Sequence, residues 1–486
     1  MKASFAKYLG ACAVFSFAYA SADTMYWVDV KSFNSTFDQN SARSPLSVDK
    51  SSEEGNDNYN WAVGISVDEN GKPTYSYADP VTVPTSATDV IFDYSKNSGT
   101  YSMAGSIRIS AGDELSVKSM TFSGCSNNWI MFNLDYSAKI SIAEDLVYND
   151  NQWLRFTTGD IDIGGNVYNN NTQGYNNLIF GSSGNALTSF SAKNVYLTNN
   201  NSVVTFSVGR GAVAYEDAKG VVSGIIDFGG TSAKVQFAKG GNFEQFLKVG
   251  GVSGTSSSAQ ITTESTDGLN YTMAFTNSAK QTFMGKVVDN SASGAKLNII
   301  MDGASTQVLS GENAFTGYVK VESGTLYLKT ADGAQHGKLT LNGGTFGAVS
   351  NASFASAEWN GGKIGIFNTD ASVAESTPET ITVEGEFVKI SEGAIAVDFN
   401  NVDVEGLLDT GMWYELITAG EFVGFSEDAN DDFIAENLGA NADFRWNEDF
   451  TALEMTITSV PEPALISAIF GFFAAAAVCA RIRRSK

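Results

Sequence analysis

Three stretches of this chain decide its fold: ISIAEDLVYNDN (140–151), IDIGGNVYNNN (161–171) and FSAKNVYLTNNN (190–201). Each opens on apolar residues in alternation or close to it. Each then turns through small or polar residues and closes on Val-Tyr and an asparagine-rich run. The tyrosines Tyr148, Tyr168 and Tyr196 are spaced by 20 and then 28 residues, about one coil of a parallel β-solenoid. In such a fold every coil lays its strands on the coil below, so like residues align in ladders. Asparagine tolerates left-handed backbone angles and bonds its neighbours along the stack, which suits the corners. The three tyrosines are therefore expected to stack, either inward as core or corner residues or outward as a platform for sugars.

The rest of the body shares this texture. It is rich in Gly, Asn, Ser and Thr, with little helical periodicity. Short strand-like runs such as Val90–Phe92, Lys139–Ile142, Asp160–Ile163 and Thr325–Lys329 are each followed by a turn signal. The expected fold is all-β: a right-handed parallel β-helix over 101–397, preceded by a leading cap over 23–100. An antiparallel cap is expected over 398–459, where Trp413–Ile417 and Ala452–Ile457 alternate more plainly. A β-sandwich is the competing reading, but one of this length would need two or three copies, and composition shows no break between them.

A sharper pattern stands at LSGENAFTGYVKVESGTLYL (309–328). Here Gly317 and Gly324 turn the chain, Val319 and Val321 point inward, and Leu326 and Leu328 form the next inward pair. The stretch, assigned as a motif over 309–330, resembles the autotransporter-associated β-strand repeat. NGGTF (342–346) and NGGKI (360–364) look like degenerate echoes of it. The body lacks the repeated amphipathic strands of an outer-membrane barrel, so self-translocation is not expected.

The two ends read as addresses. Residues 1–22 carry Lys2 and Lys7, an apolar run from Tyr8 to Ala20 and the small-x-small site Ala20-Ser21-Ala22. This predicts a secretory signal helix, removed after passage through the Sec translocon when signal peptidase leaves Asp23 as the new N-terminus. Residues 460–486 hold Val460-Pro461-Glu462-Pro463, 17 uncharged residues from Ala464 to Ala480, and the basic stop Arg481, Arg483, Arg484 and Lys486. The prolines keep the backbone extended. The apolar run would form a transmembrane helix of about 25 Å, the short end of a bilayer span, with a cytoplasmic C-terminus. In parts and order this tail resembles the PEP-CTERM sorting signal, which ends secreted proteins of many Gram-negative bacteria. The resemblance implies an exosortase that recognises Pro461-Glu462-Pro463. It also implies a transient inner-membrane anchor, and a destination at the outer cell surface or in the extracellular matrix.

Charge and residue census narrow the chemistry. The formal net charge is −24, and without the two ends it is about −29. Nucleic acid and anionic membranes are therefore poor partners. Cys12 and Cys479 belong to the ends, so Cys125 cannot form an internal disulfide; it reads as a small buried or corner residue. His336 is the only histidine, set in the polar run DGAQHG (332–337) and expected to be a solvated loop residue. One histidine leaves little room for triads or His-based metal sites. Asp160 and Asp162, on one side of one strand, with Arg155 and Arg210 on neighbouring coils, are the candidates for a polysaccharide lyase or glycoside hydrolase. The acidic run Glu427–Asp432 is a weak candidate for Ca²⁺, without the spacing of an EF-hand loop. The sequence thus reads as a non-enzymatic structural or adhesive solenoid without a cofactor. Extracellular polysaccharide is its candidate partner, and a carbohydrate-binding or carbohydrate-degrading β-helix is the alternative.

Overall fold

The computed structural model describes residues 24–27, 61–67, 69, 73–76, 83–93, 105–123, 130–149, 153–172, 177–181, 185–210, 212, 214–238, 243–264, 269–290, 294–366, 378–400 and 411–459. The cleavage residues Ala20, Ala22 and Asp23, Cys125, the motif Val460, Pro461, Glu462 and Pro463, and the stop Arg481, Arg483 and Arg484 lie outside them. Among the described residues no helix is long and apolar enough to cross a membrane.

The described chain is nearly all β, and its sheets are mostly parallel. From Asp89 to Val288 the chain visits three sheets in rotation. Sheet one takes Glu114–Val117, Lys139–Ile142, Asp160–Ile163, Ser189–Ala192, Gly220–Val222, Gln245–Val249 and Asn270–Phe275. Sheet two takes Asp89–Asp93, Ser119–Ser123, Leu146–Tyr148, Val167–Asn169, Val195–Leu197, Ile226–Asp227 and Val252–Ser253. Sheet three takes Gly105–Ile109, Ile130–Leu134, Leu154–Thr157, Asn177–Phe180, Val203–Phe206, Lys234–Phe237, Gln260–Thr263 and Lys286–Val288. Each strand pairs in parallel with the strand one coil on, as Ile140 does with Ile161 and Phe132 with Phe156. This is the pairing of a solenoid.

Alternation decides what faces inward. In Lys139–Ile142 the exposure pattern puts Ile140 and Ile142 in the core and Lys139 and Ser141 outside. On sheet three the inward row is a phenylalanine ladder. Phe132, Phe156, Phe180 and Phe206 are all fully buried, with successive ring centroids 5.0, 5.6 and 5.8 Å apart and planes within 19°. Burial of each such ring stabilises by roughly 1.5–3 kcal/mol. The offset stack adds about 0.5–1.5 kcal/mol per pair. On sheet two Phe92 stacks on Phe122 at 4.5 Å, and Trp61 meets Phe92 edge-on at 6.1 Å.

The pattern changes after Lys296. The strand Lys296–Asn313 is followed by Val319–Thr330, then by shorter coils through Thr345–Ala348 and Lys363–Gly365. As the alternation at 319–328 predicts, Val319, Val321, Leu326 and Leu328 are fully buried. The two Asn-Gly-Gly segments stack in register with this unit: Leu326 pairs with Phe346, and Phe346 with Ile364. Gly324, Gly344 and Gly362 repeat one left-handed corner at φ +68, +63 and +85. A side chain at Gly344 would run into Gly324 O, and one at Gly362 would lie 2.6 Å from Gly344 O, so glycine is required for steric reasons as well as for φ.

Both ends of the stack change pairing sense. Thr24–Trp27 pairs in parallel with Asp89–Asp93 but antiparallel with Trp61–Ala62. Parallel pairing continues past 398, through Tyr414–Val423 and Phe433–Glu436. Antiparallel pairing then appears in Asn441–Trp446 and Ala452–Ser459, with the latter closing on Tyr414–Val423. An aromatic cluster of Phe422, Phe425, Phe433, Trp446 and Phe450 packs at this end.

Candidate functional site

The tyrosine ladder forms with one correction. Val147, not Tyr148, pairs with Tyr168, and Tyr168 pairs with Tyr196. Tyr148 sits opposite Phe122 and Asn169 in the inward row and is 1% exposed. The coil between the first two copies takes 21 residues, one more than the 20 that separate the two tyrosines, and a one-residue slip reverses the face. Tyr168 and Tyr196 stack on the outer face, 5.1 Å apart and 14° from parallel. Their ring faces are turned on each other, so this pair offers ring edges rather than a flat platform.

Asparagines serve the corners as expected. The Asn170 amide donates to Asn149 Oδ1 at 2.7 Å, and Thr198 Oγ1 donates to Asn170 Oδ1 at 2.6 Å. The Asn194 amide donates to Asn166 Oδ1 at 2.8 Å. Asn313 is fully buried: its amide donates to the carbonyls of Leu309, Gly311 and Lys329, and its Oδ1 accepts from Val287 N.

The proposed carboxylate–arginine set does not assemble on one face. Asp160 and Asp162 point outward from sheet one, where Ser189 and Ser191 donate to them and Lys139 Nζ lies 3.7 Å from both Asp162 and Glu114. The Ser141 hydroxyl holds the Glu114 carboxyl below its usual value. Arg155 belongs to sheet three, with its guanidinium 5.6 Å from the Trp153 ring centre. Burial lowers its pKa from the usual arginine value, and Glu264 opposes that shift. Arg210 lies elsewhere again, over Tyr136.

His336 is not a solvated loop residue. It begins the strand His336–Leu341 and is 1% exposed. Its ring stacks on Phe315 at 4.1 Å, and its Nδ1 lies 2.7 Å from Phe315 O, which makes Nδ1 the protonated nitrogen. Burial pulls its pKa down to about 4, with the Phe315 carbonyl opposing. The polar neighbours misled because the next coil covers the ring.

The acidic run is also structural in part. Asp428 Oδ1 accepts from Asn430 N at 2.9 Å, and Asp432, 2% exposed, accepts from Lys389 Nζ and Ser426 N. Among the described residues no group of three or more His, Cys, Asp or Glu side chains converges as a metal site. Farther up the stack, the 3-10 turn Tyr215–Asp217 reaches over sheet one. Tyr215 OH donates to Asp302 Oδ2 at 3.3 Å, and Lys248 Nζ donates to Glu216 O at 3.0 Å. Nothing in the local sequence marks this contact.

A cleft of about 560 Å³ opens at the corner where sheet three turns into sheet one. Arg108, Asn133, Asp135, Tyr136, Thr158 and Asn185 line it. Tyr136 is 57% exposed. The Arg210 guanidinium lies 4.4 Å from its ring centre and donates to its hydroxyl. Arg108 pairs with Asp135 at 3.5 Å. A scan against protein-family models and a search of curated proteins find no match to this chain.

Proposed function

We propose that this chain is an exported, non-enzymatic, right-handed β-helix with a structural or adhesive role in the cell envelope or extracellular matrix of a Gram-negative bacterium. The observation that carries this reading is the use of its outer polar groups. Asn, Ser, Thr and Asp side chains pair coil to coil, as in Asn149–Asn170–Thr198 and Asp162–Ser191, and so stabilise an extended surface. In this reading the Sec translocon and signal peptidase release the N-terminus at Asp23. An exosortase then acts at Pro461-Glu462-Pro463, and the inner-membrane anchor is transient. The resemblance of residues 309–330 to autotransporter-associated repeats supports a secreted solenoid.

Mass spectrometry of the surface fraction from the native host tests the sorting. It should find no peptide spanning Pro463 to Arg481, and Pro461→Ala with Pro463→Ala should strand the chain in the inner membrane. An intact tail in the surface form would count against this route. Incubation with polyuronates and Ca²⁺ tests the non-enzymatic part, and the appearance of unsaturated products would overturn it in favour of a lyase.

A further inference from the structure

The corner between sheets three and one holds the cleft that Tyr136 lines. The residues there are arranged for a ligand of definite chemistry. Arg210 comes from 74 residues further along the chain, yet its guanidinium lies on the Tyr136 ring. Among the described residues no carboxylate pairs with Arg210, although the chain carries 54 Asp and Glu against 30 Lys and Arg. Arg210 adjoins the cleft through Tyr136, and the guanidinium on the cleft wall itself is Arg108, about half exposed and only partly neutralised by Asp135 at 3.5 Å. The amides of Asn133 and Asn185 add hydrogen-bonding groups. The floor is held in an uncommon conformation: Thr158, a β-branched residue, takes φ 51, and its hydroxyl donates to Leu134 O. Such outliers persist where surrounding structure over-determines them, and they cluster at ligand sites.

These groups match one ligand class. A guanidinium fork pairs with a planar carboxylate through two parallel hydrogen bonds. An exposed tyrosine packs against the apolar face of a sugar ring, and amides serve sugar hydroxyls. The volume falls within the range of small-ligand clefts, about 300–1,000 Å³. We propose that this cleft binds a uronate residue of an acidic polysaccharide, with the part of the Tyr136 ring that Arg210 leaves open against the sugar and Arg210, which adjoins the cleft through Tyr136, on the carboxylate. This names the ligand of the adhesive role proposed above and rests on that reading.

The test is calorimetric titration of the full-length chain in detergent with trigalacturonate and, in parallel, with maltotriose as a neutral probe. Trigalacturonate should bind saturably and more tightly than maltotriose. Arg210→Gln should weaken binding by about tenfold or more. Arg210→Lys keeps the charge but loses the fork and should fall between. Asp135→Asn frees Arg108 and should tighten binding. Arg210 and Asp135 are solvent-accessible, so unchanged melting temperatures will show that these variants fold. No saturable binding, equal binding of maltotriose, or an unaffected Arg210→Gln would overturn the assignment. If binding fails while the chain still reaches the surface fraction, only the ligand falls. If the wild-type chain never leaves the inner membrane, the exported role falls with it.

Discussion

The coils before and after Lys296 meet the same stacking requirement with different residues. In the first region a coil takes 21 residues from Ile140 to Ile161 and 31 from Val195 to Ile226, and it has three strands. Its core holds the phenylalanine ladder, with asparagines bonding along the corners. In the second region Val319 reaches Leu339 in 20 residues and Leu339 reaches Ala357 in 18. There Val319, Val321, Leu326 and Leu328 fill the inward rows of 319–328, and Gly324, Gly344 and Gly362 repeat one left-handed corner. The two regions thus share parallel stacking and differ in their inward rows, while left-handed glycines such as Gly159 and Gly181 turn the first region as well.

The strongest way to break the first region is Phe156→Ala, which opens a cavity between Phe132 and Phe180. It should cost about 3–5 kcal/mol. Hydrogen exchange should show the loss on sheet three nearby and little change beyond Val319, because solenoid coils couple mainly to their neighbours. Protection lost equally along the whole chain would show that the two regions unfold as one.

The second region should carry its own acid sensitivity through His336. Unfolded, the imidazole takes a proton below about pH 6.5; folded, it stays neutral to about pH 4. The unfolded state therefore binds the extra proton, and stability falls as pH drops through that window, by about 3 kcal/mol in all. His336→Leu should remove this slope relative to wild type in urea unfolding followed from pH 7.5 to 4, while the carboxylate contribution remains. Parallel slopes for the two proteins would refute a neutral buried imidazole.

Corner glycines give a finer comparison. Gly344→Ala combines positive φ with a clash against the coil below and should cost more than about 1 kcal/mol. Gly112→Ala, at φ +83 with open space around it, should cost less. Equal melting-temperature shifts would mean that conformation alone, not stacking, selects these glycines. Smallest of all, Tyr196→Ala removes one outer stacking partner and should cost about 0.5–1.5 kcal/mol beyond lost burial. A double-mutant cycle with Tyr168→Ala isolates that coupling.

Much of the architecture was legible because it is periodic and local. Alternation at 139–142 and 319–328 assigned the inward rows, and the Asn-Gly-Gly echoes located later corners. The polar cleft was not legible. Arg210 and Tyr136 share no motif, and they meet only because the coils between them bring their corners to one side. The phenylalanine ladder was present as spacing in the sequence, at 132, 156, 180 and 206, but it was overshadowed by the more conspicuous tyrosines.

The sequence by itself determined that this chain is β-rich and parallel, which residues alternate toward a core, and where glycine and asparagine turn it. Those properties follow from the two-residue period of a strand and from backbone angles at single positions. Only the tertiary structure decided that Tyr148 lies inside while Tyr168 and Tyr196 lie outside, that a polar stretch holds a buried His336, and that Arg210 stands over Tyr136. The reason is register: corner length sets which residue of one coil rests on which residue of the next, and a slip of one residue exchanges core for surface.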